Sequence, residues 1–159
     1  MLPLVPIPSR RLPAPTRLLT SNGVVDVWMS HAAASVNEVG AMLLGGRDGL
    51  DVRVLTVQTL TNIAPAPRDR FEACPLEFAR ALLLAESQGM QLLGFGHSHP
   101  RGLATPSAAD RAAAWPEHVL LLAAPATTHG APLRAFWRDH NSLREIAIVE
   151  SARVGGDRA

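Results

Sequence analysis

Two histidines one residue apart, His97 and His99, close the apolar run Gln91-Leu92-Leu93-Gly94-Phe95-Gly96, and a carboxylate, Asp110, stands at the third residue after Ser107. A short apolar run bounded by turn residues reads as a buried β-strand. Successive side chains of a strand point to opposite faces, so His97 and His99 project to one side with their backbones about 6.5 Å apart. Two imidazoles can then converge on one ion. Gly94 and Gly96 leave room for another backbone or a ligand to come close. Pro100 ends the strand, residues 101–106 read as a loop, and Ser107 opens a helix through Ala114 with Asp110 in its first turn. Two neutral nitrogens and one carboxylate oxygen, with no fourth protein ligand in the motif, match open zinc sites that keep one position for water.

A plainer account covers part of the same stretch. Ser107-Ala108-Ala109-Asp110 is also a helix N-cap, a serine whose oxygen takes a free amide, with an acid near the positive end of the helix dipole. That account leaves two histidines at a strand end unexplained. The readings are compatible, because a cap that fixes the helix start also aims Asp110.

The pattern His-x-His-Pro, six residues, then Ser-x-x-Asp resembles the JAMM motif of the MPN-domain metalloproteases, which remove ubiquitin or ubiquitin-like proteins from their conjugates. The segment Asn37-Glu38-Val39-Gly40-Ala41-Met42-Leu43-Leu44-Gly45-Gly46 resembles the strand at the family's upstream glutamate, with Glu38 at the matching position. Thr61-Asn62 and then Arg70-Phe71-Glu72-Ala73-Cys74-Pro75 resemble the family's linking segment before a helix; Cys74 stands where many relatives carry Asp. The likeness runs from about Val24 to Val149.

The resemblance implies one zinc ion held by His97, His99 and Asp110, whose bound water has a pKa lowered toward ~7. It implies Glu38 as general base and then general acid, and Ser107 as a hydrogen-bond donor to the tetrahedral oxyanion. It further implies an α/β fold, a three-layer α-β-α sandwich around a mixed, largely antiparallel curved sheet of the MPN and cytidine-deaminase kind. The expected reaction is hydrolysis after the C-terminal Gly-Gly of a ubiquitin-like or sulfur-carrier protein. Glycines suit a narrow groove that brings an extended tail against the metal. Two other classes share parts of the pattern: a catalytically silent MPN scaffold, which usually lacks the ligands present here, and a RadC-like DNA-repair protein, whose motif has Asn where Ser98 stands. A zinc nucleoside deaminase needs a Pro-Cys-x-x-Cys pair, which a single cysteine cannot supply.

Composition sets the bounds. A chain of 159 residues suits one domain with its own core. A net charge of +1 gives no bulk pull toward nucleic acid or a membrane surface. One cysteine excludes an internal disulfide, so Cys74 reads as a small, half-buried hydrophobe, with a regulatory thiol as the sharper alternative. No run approaches ~20 apolar residues, and the proline-broken start lacks a basic leader, so a cytoplasmic enzyme is expected.

Along the chain, residues 1–20 read as a proline-rich arm able to pack along the domain or tie two subunits of a homodimer, 21–151 as the metalloprotease domain and 152–159 as a flexible tail. Val24 to Met29 is rich in strand formers, with Ser30 capping a short helix to Asn37. Val39 to Leu44 and Asp51 to Leu60 read as paired strands joined through a turn at Gly45 to Gly49. Thr61 to Cys74 is a long loop, in which Arg68 and Arg70 could hold a partner's acidic surface. Pro75 to Gln88 reads as an amphipathic helix with Gly89 as its stop. A helix entering a buried strand places the histidine strand inside an α/β sandwich. Val119 to Ala124 reads as a buried strand, and Leu133 to Arg138 with Leu143 to Val149 as a hairpin. His31, His118, His129 and His140 have no partners at ligand spacing, and Trp28, Trp115 and Trp137 read as core or interface anchors.

Overall fold

The computed structural model describes residues 13–151. Residues 1–12 and 152–159, which hold most of the proline-rich arm and all of the expected tail, lie outside the described residues. In chain order the elements are β1 (Arg17–Ser21), α1 (Asn22–Ala33), β2 (Gly40–Asp48), β3 (Asp51–Leu60), α2 (Pro75–Ser87), β4 (Gln91–Ser98), α3 (Ala108–Ala113), β5 (Val119–Ala123), β6 (Leu133–Arg138) and β7 (Leu143–Ser151).

The strands form one mixed α/β sheet in the order β1-β3-β2-β4-β5-β6-β7. Its antiparallel pairs are β2 with β3 and β4, and β6 with β5 and β7. β4 runs parallel to β5. β1 runs parallel to both β3 and β7, and that double pairing closes the sheet into a barrel. Closure is the feature that local patterning did not supply, since it depends on a five-residue strand joining the first and last parts of the sheet.

β2 and β4 are covered on both faces, which is why they are apolar without alternation. Along β2, Ala41 and Leu43 pack in one cluster with Trp28 and Ala32 of α1, while Met42 and Leu44 pack in another with Ala85 of α2. The expected close approach at Gly94 is present: a Cβ there would collide with the backbone of Val119 on β5. No helix among the described residues is long and apolar enough to cross a membrane.

Three local expectations need correction. Val24 to Met29 is part of α1 rather than a strand, and Ser30 lies inside that helix instead of capping one. Trp28 and Ala32 are buried and Val24 packs beside them, an i, i+4, i+8 pattern whose burial outweighs the strand preference of the valines. Residues 17–20, read as extended arm, belong to β1. The strand at Leu44 continues to Asp48, with Gly45 and Gly46 paired to Val54 and Arg53, and the turn falls at Gly49, whose φ is +57°.

Candidate metal centre

The site forms where the C-terminal end of β4 meets the start of β2. His97 is the register partner of Gly40, and just past the strand end the His99 N–H donates to the Ala123 carbonyl at 2.7 Å. Between the histidines, Ser98 is fully buried on the opposite face. It is bonded twice to Val39: its N–H donates to the Val39 carbonyl at 2.9 Å, and its Oγ accepts the Val39 N–H at 3.0 Å.

Asp110 is aimed by the cap of α3. Ser107 Oγ accepts the Asp110 N–H at 3.1 Å, and Asp110 Oδ2 accepts the Ser107 N–H at 2.7 Å, a reciprocal capping box. The cap and ligand readings therefore hold together. The Ser107 oxygen accepts in the cap, so its hydroxyl hydrogen remains available.

Three side chains converge, the Asp110 carboxylate presenting one oxygen to each imidazole. His97 Nε2 lies 2.9 Å from Asp110 Oδ1, His99 Nε2 lies 3.3 Å from Asp110 Oδ2, and the two Nε2 atoms are 3.2 Å apart. Bonds of about 2.0–2.1 Å in tetrahedral geometry place ligand atoms about 3.3 Å from one another. The spacing thus fits a single zinc-sized cation, and these residues form a group that could hold a metal ion. The Nδ1 side agrees: His99 Nδ1 lies 2.7 Å from the Leu103 carbonyl, which can only accept, so Nδ1 carries a hydrogen and Nε2 is the nitrogen left for an ion.

The electrostatics are those of a site built for a cation. Burial works to raise the Asp110 pKa, but hydrogen bonds from His97 and His99, the charge of His97 and the Ser107 N–H outweigh it and hold the carboxyl well below its usual range. The hydrogen bond that His99 donates to the Asp110 carboxylate raises the His99 pKa, with burial opposing. A bound cation would take the place of the protons that these groups otherwise share.

Glu38 sits one residue before Val39 and lines the same cleft as His97, His99, Ser107 and Asp110. Burial raises its pKa; the nearby imidazoles partly offset this, and Asp110 and Asp69 add to it. Its backbone is held by the loop between β3 and α2, with the Glu38 N–H donating to the Pro67 carbonyl at 2.7 Å. The same loop lays the Phe71 ring on Gly40, where a Cβ would collide with it. The five expected site residues, Glu38, His97, His99, Ser107 and Asp110, thus line one cleft.

The cleft holds about 540 Å³, and its wall away from the donors is aromatic. Phe95 stacks edge-on to Trp115 at 4.9 Å, Phe78 lies 6.1 Å from Trp115, and His118 packs edge-on to Trp115 at 5.6 Å. Of the tryptophans, Trp28 and Trp137 are core residues as expected, whereas Trp115 is 47% exposed in this wall. His118, read as structural, also belongs to the cleft. The signal for Phe95 was present in the strand period, since residues 95, 97 and 99 alternate to one face. Arg70 lines the cleft too, while Cys74 is a half-buried free thiol at the N-cap of α2.

Comparison with known proteins places the chain in a family. The family model described as prokaryotic homologs of the JAB domain matches residues 21–139, and the chain belongs to that family. The motif resemblance is borne out at that level. Among curated relatives, the chain is 34% identical over 116 residues to desampylase of Haloferax volcanii, covering 69% of this chain and 82% of that protein. It is 33% identical over 93 residues to a probable TtuB-protein conjugate cleaving protease of Thermus thermophilus, covering 58% of this chain and 60% of that protein. Among solved structures it is similar to a Desulfitobacterium hafniense protein, with TM-score 0.76 and 28% identity over 86% of this chain and 94% of the other. A Salinibacter ruber protein matches with TM-score 0.60 and 26% identity over the same shares, 86% and 94%.

Proposed function

We propose that the chain is a zinc-dependent isopeptidase or peptidase that hydrolyses the bond after the C-terminal Gly-Gly of a ubiquitin-like or sulfur-carrier protein. The observation that carries this reading is the donor triangle of His97, His99 and Asp110, at the spacing of tetrahedral zinc ligands, with the Glu38 carboxylate in the same cleft. Family membership and relatives named for cleaving such conjugates support the substrate class.

His97, His99 and Asp110 would hold the ion. When bound, zinc supplies Lewis-acid polarisation of a carbonyl and makes water acidic enough to attack near neutral pH. Glu38 accepts a proton at its carboxylate and returns it to the leaving amine; its burial raises its pKa, which strengthens it as the base of the first transfer. Ser107 donates its hydroxyl hydrogen to the oxyanion of the scissile carbonyl, while its lone pair stays committed to the cap.

The test is incubation with Gly-Gly-tailed β-grasp carriers bearing C-terminal extensions or conjugates, read by mass spectrometry. Wild type is expected to release the group beyond the second glycine and to stop when treated with a chelator. Cleavage that survives both chelation and Glu38→Gln would overturn the reading. Near-stoichiometric zinc in the purified protein separates it from a silent scaffold.

A further inference from the structure

Asn62 stands at the neck of the loop that joins β3 to α2, and its side chain is spent on backbone. Nδ2 donates to the Glu38 carbonyl at 2.8 Å and to the Arg70 carbonyl at 2.8 Å, and also reaches the Pro67 carbonyl at 3.4 Å. Oδ1 accepts the Ala64 N–H at 2.9 Å and the Glu72 N–H at 3.1 Å. A side-chain amide offers two donors and two acceptor lone pairs in one short planar group, and all four are used here.

All but one of these bonds stay inside the loop; the one that leaves it has Glu38 as its acceptor. With the Glu38 N–H on the Pro67 carbonyl, both backbone polar groups of Glu38 are held by this one loop. Glu38 precedes the ladder of β2, and among the described residues its carboxylate has no hydrogen-bond partner of its own. The direction of that carboxylate is therefore set by its backbone, and the backbone by the loop.

We propose that Asn62 is a positioning residue for Glu38: it couples the closed form of the 61–74 loop to the backbone that carries the carboxylate. The inference rests on the proton-transfer role given to Glu38 above. Asn62 touches neither the reacting atoms nor the metal ligands.

The informative variant is Asn62→Asp, which keeps the shape and the two accepted bonds but turns both donors into an acceptor facing two carbonyls. The control is Thr61→Val. It removes a bond in the same neck, Thr61 Oγ1 to Glu77 Oε1 at 2.7 Å, and touches nothing bound to Glu38. Asn62→Asp is expected to lower kcat about 10- to 100-fold, the scale of a displacement of about 1 Å, with KM and zinc content unchanged. In the metal-free protein its Glu38 amide should exchange hydrogen at least about 10-fold faster than in wild type, with the β4 amides unaffected. Thr61→Val should keep kcat within about 2-fold.

The proposal is overturned if the Asn62→Asp kcat stays within about 2-fold of wild type. It is equally overturned if the Glu38 amide exchanges as in wild type, or if Thr61→Val loses as much kcat. Should Asn62→Asp fail to fold, Asn62→Ser removes the amide donors without adding charge and carries the same measurements. A wild type that cleaves no Gly-Gly-tailed carrier removes the proposed function instead, and amide exchange at Glu38 still decides the positioning role.

Discussion

The metal ligands and Glu38 share a cleft but are held there by different means. His97, His99 and Asp110 come from one stretch of chain, residues 97–110, where strand period, a proline stop and a helix cap each fix a direction. Glu38 arrives from a distant part of the sequence through the pairing of β2 with β4, and its backbone hangs on a loop. A site assembled this way has a locally encoded half, which should survive damage elsewhere, and a topologically encoded half, which should not. In the proposed function, binding of the ion belongs to the first half and proton transfer to the second, so the two should be separable by mutation.

The strongest break in that comparison is Asp110→Ala, which removes a ligand and half of the capping box. Loss of both zinc and cleavage is expected, with activity down about 10³-fold or more, checked by metal analysis beside turnover. Glu38→Gln should sharpen it from the other side, lowering kcat by about 10²- to 10⁴-fold with zinc content unchanged. A Glu38→Gln protein that loses its metal would show that the two halves are not independent. Ser107→Ala belongs to both halves. It should cost about 10- to 100-fold in kcat through the lost oxyanion donor and about 1 kcal/mol in unfolding free energy through the lost cap, with Ser107→Thr restoring both.

The smallest effect concerns stability and pH. Burial raises the Glu38 pKa in the folded chain, with the imidazoles opposing. A carboxyl raised by folding contributes fully below its unfolded value, about 4.3, and that contribution is lost as pH rises through the folded value. In metal-free protein, Glu38→Gln should therefore melt with wild type below about pH 4 and above it in temperature near about pH 7, read by thermal unfolding across pH. A less stable variant at neutral pH would mean that the ionised carboxylate is favoured in its site.

What the sequence made legible follows the same division. His97, His99, Ser107 and Asp110 could be placed from spacing alone, because a two-residue strand period and a three-residue cap are short-range rules. Most strands and α2 were legible for the same reason. Glu38 needed the family resemblance, since no local rule says that residues 38 and 97 meet. Closure of the sheet through β1 was invisible, because five residues with no strong alternation give no sign of two partners. The valines of α1 misled because their strand preference is local, whereas the burial of Trp28 and Ala32 against the sheet is not. Asn62 could be noticed as part of a segment, but its five backbone partners span residues 38–72 and come together only in the folded loop.

The double bond between Ser98 and Val39 carries a mechanical consequence. Ser98 is the link between the two imidazole-bearing residues, and Val39 is the immediate neighbour of the acid that faces them. Glu38 and the two histidines are thereby each one residue away from the same pair of hydrogen bonds, a single short brace across the seam of β4 and the start of β2.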